Sequence, residues 1–261
     1  MKLKFFKISM LILSISIFMS ACSSKNTVMP TVKKEVNIEE SMEDEFEDEF
    51  KTADTEVFDP LEGYNRWMTK VNDKIYTYAF DPVSRAYAFV IPKPARLGLS
   101  NVFHNLKFPI HFANNLLQFK FDASMKELGR FMINSSLGIL GIFDVARAGG
   151  IEPQEEDFGQ TLGYYGVGAG PHVVLPFLGP SNIRDSLGFS VDLLISPTAT
   201  GSLKYQIPDN SEKALALFSA YYLNENSLHP GKYENFKKDA LDVYTFFRDS
   251  YEQKRAKDIE N

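Results

Sequence analysis

The sequence predicts a mainly α fold, and three observations carry that expectation. Apolar residues recur at helical spacing through most of the chain beyond residue 58, Asp-Pro pairs and other acidic residues stand at the starts of those runs, and strand-like alternation is confined to one stretch, Phe158 to Asp185. The segment from residue 58 to residue 261 is about 200 residues long, a size that suits one domain.

Taken in order, Met1 to Ala21 reads as a processing segment outside the fold. Lys2, Lys4 and Lys7 form a basic n-region, and Ile8 to Met19 form an apolar h-region. That run is too short to cross a bilayer, which needs roughly 20 apolar residues, so export is expected. Cys22 is the single cysteine, which excludes an intramolecular disulfide. Met19-Ser20-Ala21-Cys22 resembles the bacterial lipobox. The resemblance implies that Cys22 is acylated on sulfur and then on nitrogen, more than the two signals stable anchoring requires. Ser23 stands where lipoproteins retained at the inner membrane carry Asp, which implies the outer membrane.

Residues 22–57 read as a lipid-anchored, acidic, disordered linker. Eleven Asp and Glu lie between Ser23 and Val57, concentrated in Glu39 to Glu49, against Lys25, Lys33, Lys34 and Lys51. Dense like charge with little apolar surface does not offset chain entropy, so a solvated tether is expected, with an acidic docking segment as the alternative. The formal charge of the whole chain is -6; the three lysines before Ala21 and the -7 of the tether leave about -2 on residues 58–261. Such a balance offers no basic face for nucleic acid.

Within 58–261, Asp59-Pro60-Leu61-Glu62 predicts a helix start with an acidic cap, and Tyr64, Trp67, Met68, Val71, Ile75 and Tyr78 continue it at helical spacing. Asp81-Pro82 predicts a second start, ending at Ile91-Pro92-Lys93-Pro94. Leu97 to Leu117 should form two helical pieces bent at Pro109. Asp122 should cap a helix running to about Leu137, with Met125, Leu128, Phe131 and Met132 on one side. Two further helices are expected over about 211–225 and 232–256, and Ser181 or Asn182 should cap another short one.

Phe158 to Asp185 predicts a long, hinged, apolar hairpin. Gly163, Gly166, Gly168 and Gly170 form a flexible approach arm, Pro171 stiffens the tip, and His172-Val173-Val174-Leu175 returns. Pro176, Gly179 and Pro180 punctuate its end. Exposure of Val173, Val174, Leu175, Phe177 and Leu178 together would invite association, so the hairpin either packs on the body or lies in lipid.

Catalytic signatures are absent. Gly166-Val167-Gly168-Ala169-Gly170 lacks the dinucleotide spacing, and no Gly-Lys-Ser/Thr follows to make a P-loop. Ser181 lacks the glycine two residues on that a nucleophile elbow needs. His104, His111, His172 and His229 show no paired metal-ligand spacing. A protein that is not an enzyme, with no metal and no cofactor, is expected.

Four segments, DPLEGYNRWM at Asp59 to Met68, RLGLSNVFHNLKFP at Arg96 to Pro109, RFMINSSLGILGIFDVA at Arg130 to Ala146 and EDFGQTLGYYGVGAGPHVVLPFLGPSNIRD at Glu156 to Asp185, resemble the MlaA (VacJ) family of outer-membrane lipoproteins. Beyond Asp185 the similarity weakens. The resemblance implies a ring-shaped helical monotopic domain in the periplasmic leaflet, with an amphipathic channel and a hairpin beside it. It also implies removal of mislocalised phospholipid from the outer leaflet and its transfer to a periplasmic lipid-binding shuttle protein. Association with an outer-membrane porin trimer is implied too.

The residues themselves agree with a body set in one leaflet: no run after residue 21 is long enough to span, yet the helices are one-sided and rich in Phe and Tyr. A phospholipid path must solvate the headgroup, because an unpaired buried phosphate is costly. Arg147, Arg184 and Asp185 are the candidates for that path, with a structural ion pair as the alternative for each. Gly166, Gly168, Gly170, Pro171, Val173, Val174, Leu175, Phe177, Leu178, Gly179 and Pro180 are the candidates for gating it. A lipoprotein scaffolding porins or the envelope is the alternative function.

Overall fold

The computed structural model describes residues 57–200, 203–238 and 240–260. The expected processing segment, Cys22 and the acidic linker up to residue 56 lie outside the described residues.

Helix α1, Glu62–Ile75, runs through a π-helical turn, Tyr76–Phe80, directly into α2, Asp81–Val90. The separate start expected at Asp81 is therefore corrected. Pro82 has no N–H and its ring crowds the carbonyl one turn back; the wider π turn, in which the Asp81 N–H reaches Tyr76 O, accommodates both. Asp81 is buried and bonds Arg85 at 2.6 Å. Asp59 does not cap α1 either: it accepts from Asn65 Nδ2 at 2.8 Å and from the Tyr244 hydroxyl, and so ties the start of α1 to the end of the chain.

Helix α3, Lys93–Leu106, and α4, Phe108–Leu117, bend at Lys107, with Pro109 in the first turn of α4. In α5, Phe121–Ser136, Asp122 sits in the first turn and bonds Lys126 at 2.6 Å instead of capping. Asp144 caps the short α6, Val145–Ala148.

The hairpin is smaller than the glycine pattern suggests. Phe158–Tyr164 is a helix, α7, because Asp157 and Gln160 close a reciprocal capping box that fixes its first turn. Strands β1, His172–Leu175, and β2, Gly179–Asn182, pair antiparallel with Leu175 opposite Gly179, so the tip lies at Pro176–Leu178 and Pro171 merely precedes β1. Phe177 takes φ 64° in that turn, an uncommon conformation for a side-chain-bearing residue.

Asn182 caps α8, Ile183–Ile195, accepting from the Asp185 N–H at 2.8 Å. Helix α9, Ser211–Leu228, follows. The single helix expected over 232–256 is two, α10, Lys232–Lys238, and α11, Val243–Glu260. Asp242 explains the new start, since its Oδ1 accepts from the N–H groups of Tyr244 and Thr245 at 2.9 and 3.3 Å.

Packing closes these helices into a ring: α1 lies on α11, α11 on α7, α7 on α4, α4 on α3, α3 on α9 and α9 on α2, which returns to α1. Among the described residues no helix is long and apolar enough to cross a membrane.

Candidate functional site

The ring carries its polarity inside. Asn65, Asn114, Gln118, Ser124, His172 and Asn182 are buried, whereas Phe89 is 92% exposed and Tyr78, Val90, Leu140, Phe177 and Leu194 also face outward. Helix α5 shows the pattern locally: Ser124, Glu127, Arg130 and Asn134 turn inward and Met125 and Met132 turn out. A protein surrounded by water favours the opposite arrangement, because it would otherwise expose apolar area and bury groups that need partners.

Those partners are supplied internally. Arg130 pairs with Asp144 at 2.9 Å, and Asn134 donates to Asp144 and accepts from the Ala146 N–H. Asn114 donates to Asp192 at 3.0 Å, and burial raises the Asp192 carboxyl to about 6 although the Phe158 N–H also bonds it.

Two cavities, of about 640 and 470 Å³, share His111, Pro153 and Glu155 in a common wall. The irregular segment from Glu152 to Asp157 forms that wall and is held from both sides. Asn115 donates to Gln154 O at 2.9 Å, the Gln154 N–H donates to Glu127 at 2.6 Å, and Lys120 pairs with Glu156 at 2.7 Å. A hydrogen bond from His104, at 3.2 Å, pushes the Glu155 carboxyl down to about 2. Lys107, at the α3–α4 bend, donates to the Tyr221 hydroxyl at 2.7 Å, and burial lowers its pKa. Phe103, Ile110, Leu217 and Phe218 add apolar surface to the larger cavity, which is therefore amphipathic.

The residues singled out from sequence fall into three places. Arg147 lines the smaller cavity, exposed, 3.3 Å from Glu152. Arg184 and Asp185 are buried and paired with each other at 2.9 Å, outside both cavities. The hairpin residues from Gly166 to Pro180 also line neither cavity. Two asparagines of α1 dock the hairpin instead. Asn65 accepts from the Val174 N–H and donates to His172 O, and Asn72 does the same for Phe177 N–H and Leu175 O. Helix α1 thus presents a row of amides to the open edge of β1, two turns apart.

Sequence reasoning missed Lys107, Glu155, Tyr221 and Glu225, which line the cavities. The acidic run Glu152 to Asp157 beside the glycine-rich stretch was the available signal for the shared wall.

A helical ring with amphipathic, charge-lined cavities inside and apolar side chains outside defines a protein suited to an apolar surround. The chain belongs to the MlaA lipoprotein family, whose profile matches residues 57–258. It is 42% identical over 140 residues to the intermembrane phospholipid transport system lipoprotein MlaA of Shigella flexneri, covering 52% of this chain and 56% of that one. An uncharacterised protein of Rickettsia bellii is 31% identical over 205 residues, covering 78% of both chains. A solved chain described under "Structural basis for maintenance of bacterial outer membrane lipid asymmetry" superposes with a TM-score of 0.63 at 31% identity, covering 77% of this chain and 98% of that one.

Proposed function

We propose that this chain is an outer-membrane lipoprotein that removes mislocalised phospholipid from the outer leaflet and passes it to a periplasmic lipid-binding shuttle protein, so maintaining lipid asymmetry. The observation that carries this reading is the inverted ring, apolar outside and polar inside. An apolar rim sits at low cost among acyl chains, while hydrated cavities carry a charged headgroup that hydrocarbon would reject. The names of the relatives point the same way. The transfer reading includes no covalent chemistry.

In this reading residues 1–21 are removed, Cys22 carries the acyl anchor, 22–57 form the tether, and 58–261 lie in the periplasmic leaflet beside a porin trimer. Arg147 lines the smaller cavity and meets the headgroup, while Arg184 and Asp185 brace Arg255 in the lining of the larger one. Phe177 and Leu178 reach the acyl tails at the hairpin tip, flanked by Gly179 and Pro180. Val173, Val174 and Leu175 seat the hairpin, and Gly166, Gly168, Gly170 and Pro171 let it shift. Because β2 packs on α11, whose Lys254 and Arg255 line the larger cavity, a hairpin movement reaches the path through that helix.

Labelling outer-leaflet phosphatidylethanolamine in intact cells with a membrane-impermeant amine reagent tests the proposal. Deletion of the gene should raise the label, and wild type should restore it where Cys22→Ala does not. Unchanged labelling with altered porin assembly would favour the scaffold.

A further inference from the structure

The charges in and around the shared wall are not all used up by each other. Of the cations lining the two cavities, Lys120 pairs with Glu156, Arg130 with Asp144, Arg147 with Glu152, Lys254 with Asp258 and Arg255 with Asp157 and Asp185. Lys93 is exposed at the rim. Lys107 is partly buried, and among the described residues no carboxylate lies within salt-bridge distance of it; its neighbour is Tyr221, whose hydroxyl accepts at 2.7 Å and whose ring centroid is 4.1 Å away. A partly buried ammonium with no directly paired carboxylate is costly, and burial lowers its pKa even though Glu155 and Glu225 act against that from further off.

The complementary charge stands one helical turn away. Glu225 lies four residues after Tyr221 on α9, in the smaller cavity, and Ser100 donates to its Oε1 at 2.5 Å; among the described residues no cation pairs with it. Tyr221, which Lys107 bonds, and Glu225 stand one turn apart on the same side of α9, and the two opposite charges act on each other without pairing directly. Glu155 adds a second carboxylate in the wall between the cavities.

We propose that the junction of the two cavities is a headgroup-reading site that takes a zwitterionic phosphodiester bearing an ammonium, with Lys107 on the phosphate and Glu225 and Glu155 on the ammonium. The proposal rests on the lipid-conduit reading above and adds the headgroup class to it. An ethanolamine phosphodiester separates phosphorus and nitrogen by only one oxygen and two carbons, so a single site with a cation and a carboxylate on neighbouring turns can hold both of its charges. A glycerol headgroup satisfies Lys107 but sets neutral hydroxyls against Glu155, which keeps its bond from His104, and against Glu225, which is left without a cation. The two acids therefore select against net-anionic lipid as well as for the amine.

The test is the lipid that copurifies with the full chain in mild non-ionic detergent, quantified by mass spectrometry. The measured ratio is phosphatidylethanolamine to phosphatidylglycerol, relative to the membrane of origin. Wild type should be enriched several-fold in the ethanolamine lipid. Glu225→Gln, which keeps an acceptor for Ser100, should retain lipid at the membrane ratio. Lys107→Gln should lose both lipids about tenfold, the value of one hydrogen bond to a charged group. Millimolar inorganic phosphate should displace no lipid from wild type, and displacement would reassign the site to free phosphate.

A wild-type ratio equal to that of the membrane overturns the inference whatever the variants do, and so does a Glu225→Gln protein with wild-type enrichment. Either result leaves the conduit standing. Wild type that carries no phospholipid at all overturns the conduit and the headgroup inference together.

Discussion

Arg255, near the end of α11, donates from Nε to Asp185 Oδ2 at 2.9 Å, across 70 residues of sequence. Its Nη1 and Nη2 donate to Asp157 at 2.8 and 2.9 Å, so one guanidinium ties the starts of α7 and α8 to the C-terminal helix. Burial opposes ionisation of Asp185, and the hydrogen bonds from Arg255 and Arg184 overcome it and hold the carboxyl below its ordinary range. Arg255→Ala removes the bonds to both Asp157 and Asp185, while Arg184, Asn182 and Tyr251 still hold Asp185, and should cost about 3 kcal/mol. Arg184→Ala leaves Arg255 in place and should cost about 1–2 kcal/mol. Thermal denaturation in detergent, followed by circular dichroism, ranks the two; equal losses would show that Arg255 is not the central tie.

The docking of the hairpin by Asn65 and Asn72 predicts a graded loosening. Asn65 is fully buried, and Asn65→Ala leaves the Val174 N–H and His172 O without partners, at about 1–3 kcal/mol. Asn72 and Phe177 are more exposed, so water replaces the bonds lost in Asn72→Ala at less than about 1 kcal/mol. Amide hydrogen exchange reads this directly. Val174 should speed up strongly in the first variant and Phe177 only slightly in the second, and unchanged Val174 exchange would refute the docking.

Much of the helical order was legible in the sequence, and the inside of the ring was not. Pro109 and the apolar spacing located the α3–α4 bend, and the alternation after Pro171 located β1. Capping by Asp59, Asp81 and Asp122 failed because each carboxylate serves a side-chain partner instead, Tyr244, Arg85 and Lys126 respectively. Periodicity finds a helix whichever way it faces, and the usual reading turns the apolar side inward. Here Met125 and Met132 face out, so the cavity wall is made of residues such as Glu127 that a search for an apolar core passes over. Glu155 and Lys107 carry no local pattern, and only their meeting across 48 residues makes a site.

The crossing of α7 and α8 depends on paired glycines. A Cβ on Gly188 would lie 2.3 Å from the backbone nitrogen of Gly159, which cannot move without displacing α7. Gly188→Ala should therefore cost about 1–3 kcal/mol or more by forcing the helices apart. Gly129, inside α5, has nothing within 4 Å of an added Cβ, and Gly129→Ala should stabilise by about 0.5–1 kcal/mol. Opposite shifts in melting temperature are expected, and a loss in both would show that the crossing is not what Gly188 protects.

Asp192 predicts a pH dependence of definite sign. Its carboxyl is raised to about 6 by burial, above the roughly 3.9 of an unfolded chain, so the folded state holds the proton more tightly. Stability from this group is therefore greatest below about pH 4, falls as pH rises to about 6 and is level above that, a change of up to about 3 kcal/mol. Asp192→Asn cannot ionise and should remove that slope. The amide offers one acceptor where Asn114 Nδ2 and the Phe158 N–H both donate, so one bond worth about 1 kcal/mol is lost at every pH. Denaturation midpoints measured from pH 4 to 7 for both proteins should give a wild-type curve that declines relative to a flatter, offset variant curve. Parallel curves would mean that the proton binds elsewhere.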